Sequence, residues 1–113
     1  MKRRPQIMNR RLAALLVMLG VPALALAGWT AVGSVNNVYS HLGKHLIDTT
    51  IVDAPCGVAG RFWWSTGDAE DKYMFALATT ALVAQKPIAV AHDPASPNCL
   101  FGGQLATHMM MAR

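Results

Sequence analysis

"DKYMFALATTALVAQKPIAVAHDPASPNC", Asp71 to Cys99, runs from a helical pattern through Lys86-Pro87 into a strand-like stretch and then a cysteine. Met74, Leu77, Ala78, Ala81 and Leu82 recur at helical spacing and make one apolar stripe, widened by Tyr73, Ala76 and Ala84. The small alanines allow close approach to a sheet. Thr66, Gly67 and Asp68 are N-cap candidates, Glu70 and Asp71 suit the positive end of the helix dipole, and Asp68 with Lys72 makes an i, i+4 pair. Pro87 ends the helix at or before Lys86, because the residue preceding proline is pushed out of the helical region. Ile88, Val90 and His92 then alternate with Ala89 and Ala91 as a short strand, and "DPASPNC" is a loop.

Working outward, Trp29 to Leu42 alternates as a strand, Gly43 marks a turn, and Lys44 to Val52 resumes, so the two form a hairpin. Asp53-Ala54-Pro55 breaks the pattern, and Arg61 to Trp64 is a short aromatic strand. Gly103 to Met111 reads as one last strand, with Leu105, Thr107, Met109 and Met111 on one face. The fold expected is mostly β with one helix (α+β). Three strands, a helix and two strands fit a five-stranded OB-like barrel with the helix after the third strand. An open α+β sheet with the helix across one face fits the same order.

"MKRRPQIMNRR" is a positive n-region, "LAALLVMLGVPALALA" an apolar run, and Ala25-Leu26-Ala27 offers small residues where a signal peptidase reads them. Residues 1–27 are therefore predicted to be a signal peptide and residues 28–113 a single secreted or periplasmic domain. The competing reading retains the segment as an anchor, since no charge lies between Leu12 and Lys44. The absence of a nearby cysteine argues against a lipoprotein signal. The net charge of +4 has the same origin: five of the ten basic residues lie in the first eleven positions. Beyond them Lys44, Arg61, Lys72, Lys86 and Arg113 face six acids, a balance of −1, which removes the case for nucleic acid. No membrane span is expected after cleavage.

Export changes the meaning of Cys56 and Cys99. A lone pair in a small exported domain reads as one disulfide, against the simpler reading of two buried thiols. Closing so long a loop contributes about 4 kcal/mol in the chain-entropy treatment. The spacing matches neither a zinc site nor a Cys-x-x-Cys redox motif.

The early hairpin, Cys56-Gly57, "RFWW", the helix "DKYMFALATTALVAQK", "PIAVAHD", Cys99 and a terminal strand together resemble small secreted OB-fold proteins, the toxin B subunits of the pertussis and subtilase-cytotoxin type. That resemblance covers nearly all of residues 28–113. In those toxins the B subunits form a ring that binds host glycans and carries an enzymatic subunit; for this chain the resemblance implies an exported, non-catalytic binding module, with a homo-oligomer and a glycan or exported protein as the partners to look for. It carries over no functional residue.

Chemistry finds little support in the residue pattern. His41 and His45 would share a face only in a helix, and Gly43 argues against one, so no metal site is expected. Ser40 beside His41, and Ser65 before the helix, lack a recognisable nucleophile context. Asp68, Glu70 and Asp71 read as capping residues rather than paired catalytic carboxylates. No phosphate loop occurs and no cofactor is expected. An enzymatic alternative would use His92 or His108, and a monomeric envelope structural factor is a further rival. The aromatic run is the best binding signal. Phe62 and Trp64 share one strand face and Trp63 takes the other, so an exposed ring could meet a sugar or a protein, whereas the plainer reading packs all three in the core.

Overall fold

The computed structural model describes residues 28–113. The leader predicted over residues 1–27 lies outside the described residues. Strands β1 (Val35–His41), β2 (Lys44–Thr49) and β3 (Arg61–Ser65) precede helix α1 (Asp71–Ala84), and β4 (Ile88–Ala91), β5 (Gln104–Leu105) and β6 (His108–Met111) follow it. The chain is mostly β with one helix, as its pattern predicts.

The strands form an open four-stranded sheet, β1-β2-β3-β5, and a two-stranded sheet, β4-β6. β2 pairs antiparallel with β1 on one side and with β3 on the other, whereas β5 lies parallel to β3 through Phe62↔Gln104 and Trp63↔Leu105. Both sheets are open, so the structure shows no closed five-stranded barrel among the described residues. The two sheets are joined by isolated bridges, Trp29↔Ala91 and Gly33↔Ile88. They are also linked by the Ala106 N–H to Trp63 O and the Thr107 N–H to Ala91 O.

Two expected strands are broken for one reason. The stretch from Trp29 to Leu42 bridges β4 first and joins β2 only from Val35, with a register shift between Val35 and Asn37. Likewise Gly103 to Met111 pairs with β3, then breaks at Ala106-Thr107 and pairs with β4. Each segment passes from one sheet to the other, and alternation alone does not mark the crossing. The break also resets the faces, so that Gln104 and Ala106 are buried before it and Met109 after it.

Helix α1 begins later than its cap candidates suggest. Glu70 occupies the N-cap position without a side-chain bond, and Asp68 lies before the helix in a turn, where its N–H reaches Ser65 O. The i, i+4 placement expected for Asp68 and Lys72 is thus lost. The centre of the apolar stripe is as expected, with Met74, Ala78 and Ala81 buried and Leu77 and Leu82 packed at its margin, but Tyr73, Ala76 and Ala84 are exposed and do not widen it. Gln85 ends the helix in the left-handed conformation. The stripe meets Val35, Ile47, Phe62 and Trp64 from the larger sheet and Ile88, Val90 and Met109 from the smaller one in a single core. Full burial of Phe62 or Trp64 contributes about 1.5–3 kcal/mol each.

Cys56 and Cys99 are bonded, with Cα atoms 5.2 Å apart. The bond fastens the loop between β2 and β3 to the loop between β4 and β5. Among the described residues no helix is long and apolar enough to cross a membrane.

Candidate functional site

Those two loops also form the walls of a cleft. Trp29, Thr30, Ala31, Ile51, Val52, Asp53, His92 and Pro94 line a volume of about 340 Å³, within the range of small-ligand sites. Its floor comes from the crossing segment: Thr30 N–H reaches Val90 O at 2.9 Å, and the Thr30 hydroxyl accepts Val90 N–H at 3.1 Å. That pairing presents the half-buried Trp29 beside the loops. Across from it, Asp53 Oδ2 lies 3.0 Å from His92 Nε2. The Asp53 side chain keeps 38% exposure, whereas that of His92 keeps 9%. His92 Nδ1 is buried with no protein partner, and its ring lies 6.4 Å from that of Phe62.

Asp53 owes its position to Gly60. The Gly60 N–H donates to Asp53 O, and Gly60 O accepts both the N–H and the hydroxyl of Thr49. With φ +74 and the carbonyls of Thr49 and Ile51 occupying the space a β-carbon would need, position 60 has no room for a side chain. Trp29 and Asp53 were not singled out by the sequence. Trp29 reads as an ordinary strand residue and Asp53 as a turn residue, and only the bridge to β4 and the disulfide-joined loops bring them together.

The aromatic run divides as its alternation predicts. Phe62 and Trp64 are fully buried in the core beneath α1. Trp63 faces the other side, part-exposed, with its indole N–H on Asn98 O at 2.8 Å and Lys44 Nζ 5.9 Å from the ring centroid. It anchors the loop that carries Cys99. On the same face Arg61 grips Asp48, Nε to Oδ1 at 2.7 Å, and donates to Phe101 O. Burial, then the Asp48 charge, push the Tyr39 hydroxyl up, and the Asp48 hydrogen bond raises Arg61.

Of the histidines, His108 is exposed, 3.2 Å from the Thr107 hydroxyl, and its ring lies 6.5 Å from that of Trp29. His41 packs edge-on against Phe101, whereas His45 belongs to a different group. Ser40 Oγ is 2.8 Å from His45 Nδ1, and His45 Nε2 is 3.4 Å from Asp71 Oδ1. Asp71 also accepts Trp64 Nε1–H at 2.7 Å and the Gly67 N–H at 3.0 Å. The Gly67 bond, with the Trp64 bond and the charge of His45, outweighs burial and holds the Asp71 carboxyl below the usual carboxylate value. No sequence motif marks this array, because its members come from β1, β2 and the first turn of α1. Among the described residues no group of three or more His, Cys, Asp or Glu side chains could hold a metal ion.

Comparison with known proteins identifies no relatives: no family model, curated protein or solved structure matches the chain.

Proposed function

We propose that the protein is an exported binding module that takes a sugar ring of a glycan in the cleft at Trp29. The convergence of Trp29, Asp53 and His92 carries this reading. An aromatic face suits the apolar side of a sugar, and a part-exposed carboxylate accepts hydrogen bonds from its hydroxyls. His92 directs Nε2 at Asp53 and buries Nδ1, so it serves to orient the carboxylate rather than to move a proton at the cleft.

The disulfide supports an oxidising compartment and hence the secreted or periplasmic destination. The parallel β3/β5 pairing and the two bridges that tie residues 29–33 to β4 support an OB-like arrangement of these open sheets, in keeping with the resemblance to toxin B subunits. β1 forms an edge of its sheet, which supports pairing with a second copy.

A glycan array probed with the purified protein tests the reading. Binding to a defined set of sugars, lost in Trp29→Ala and kept in Trp63→Ala, is expected. A blank array, or binding indifferent to Trp29→Ala, would overturn it.

A further inference from the structure

The geometry points to a second site, remote from the cleft, at which Ser40 acts as a nucleophile on an accessible carboxylic ester with His45 as its base and Asp71 orienting that base. The hairpin creates the key contact. Leu42 and Gly43 both have positive φ, +50 and +78, as a two-residue primed turn requires. The Thr66 N–H bonds Gly43 O and the Thr49 N–H bonds Gly60 O, so the odd-numbered residues of β2 bond towards β3. His45 therefore faces Ser40 as a non-hydrogen-bonded pair, the closer kind for side chains. The same alternation turns the Ser40 N–H outward along the edge of the sheet, where it is placed to donate to an oxygen bound next to Oγ.

The remaining contacts fix which nitrogen acts. The ionised Asp71 favours a proton on His45 Nε2, which leaves Nδ1 as the acceptor towards the Ser40 hydroxyl. The ring is held in place by stacking on Phe75, 4.4 Å between centroids at 27°. A nucleophile within hydrogen-bond reach of a base that a third group orients is the general arrangement for acyl transfer. The 3.4 Å separation from Asp71 is of the length such contacts show before substrate binds.

In the reaction, Ser40 Oγ attacks the ester carbonyl carbon as its proton passes to His45 Nδ1. The acyl–alkoxy bond then breaks, and the leaving oxygen takes that proton. Water attacks the acyl-Ser40 carbonyl and gives its proton to His45 Nδ1. The acyl–Oγ bond breaks and Oγ recovers the proton, so ester and water become acid and alcohol. Ser40 is exposed, so the substrate is an ester presented on a surface, and Phe75 beside His45 offers a shelf for a small apolar acyl group.

A fluorophosphonate probe tests the proposal on the full chain: Oγ displaces fluoride and leaves a stable adduct that peptide mapping locates. The expected result is an adduct on Ser40 that is absent in Ser40→Ala and unaffected by Ser65→Ala. His45→Gln should form it about 100-fold more slowly. Hydrolysis of p-nitrophenyl acetate should show the same order among variants. No adduct at Ser40, or an unchanged rate in a His45→Gln protein with native near-UV circular dichroism, would overturn the proposal. Should His45→Gln not fold, the pH profile of wild-type labelling decides. A sigmoid with its midpoint between about pH 5 and 8 supports a histidine base, and a rate simply proportional to hydroxide overturns it.

Discussion

Asp53 Oδ2 and His92 Nε2 meet at 3.0 Å, and this contact joins the same two loops that the Cys56–Cys99 bond joins. The cleft walls are thus held twice, once covalently and once by a charge-assisted hydrogen bond.

Removing one member of that contact leaves the other uncompensated. Asp53→Ala strands a histidine nitrogen in a nearly buried setting, at a cost of about 1–3 kcal/mol. Urea unfolding of Asp53→Ala, His92→Ala and the double variant should show the double loss to be smaller than the sum, because both single changes break the same contact.

The covalent tie is the larger one. Cys56→Ala/Cys99→Ala should lower stability by about 4 kcal/mol in the chain-entropy treatment, on the order of 20 °C in Tm for a domain of this size. Thermal unfolding followed by circular dichroism measures this, and reductant should shift the wild type towards the double variant while leaving that variant unmoved.

Leu42 is a local misfit. It sits at φ +50 with 76% of its surface exposed, a conformation and a setting that offer a leucine nothing in return. Asn tolerates this region, so Leu42→Asn should stabilise the hairpin by roughly 0.5–1 kcal/mol. A rise in the urea midpoint with an unchanged slope would check it.

Asp71 gives a pH dependence of defined sign. Its carboxyl is held below the ordinary value by the Gly67 N–H first, with Trp64 and His45 adding to the effect. A group whose folded pKa is depressed contributes stability above its unfolded pKa, about 3.9, and loses that contribution as the pH falls through the folded value. Asp71→Asn should therefore be destabilising at neutral pH, and its gap from wild type should narrow in acid. Denaturant unfolding across a pH series measures the gap.

The legible parts of this fold are those in which neighbours in sequence interact. The stripe from Met74 to Leu82, the stop at Pro87 and the turn at Gly43 follow from local periodicity and backbone chemistry, and the structure has all three. The crossings at Ser34 and at Ala106-Thr107 were hidden because a segment that changes sheets can keep an uninterrupted apolar alternation. The cysteine pair was readable from compartment and count. Neither proposed site was readable: Trp29 and Asp53 come to line one cleft only through β4 and the loops, and Ser40 is linked to Asp71 only through His45 on the neighbouring strand. In "RFWW", alternation separated Trp63 from its neighbours, but what covers each face depended on α1 and on the loop around Asn98.

The most direct test of the proposed glycan binding is an NMR titration of the isotope-labelled protein with the sugar selected on the glycan array. Saturable shifts concentrated at the Trp29 indole N–H, Asp53 and His92, with Trp63 and Lys44 unmoved, are expected. Shifts centred on Trp63 and Lys44, with the Trp29 indole unchanged at saturation, would contradict the proposal.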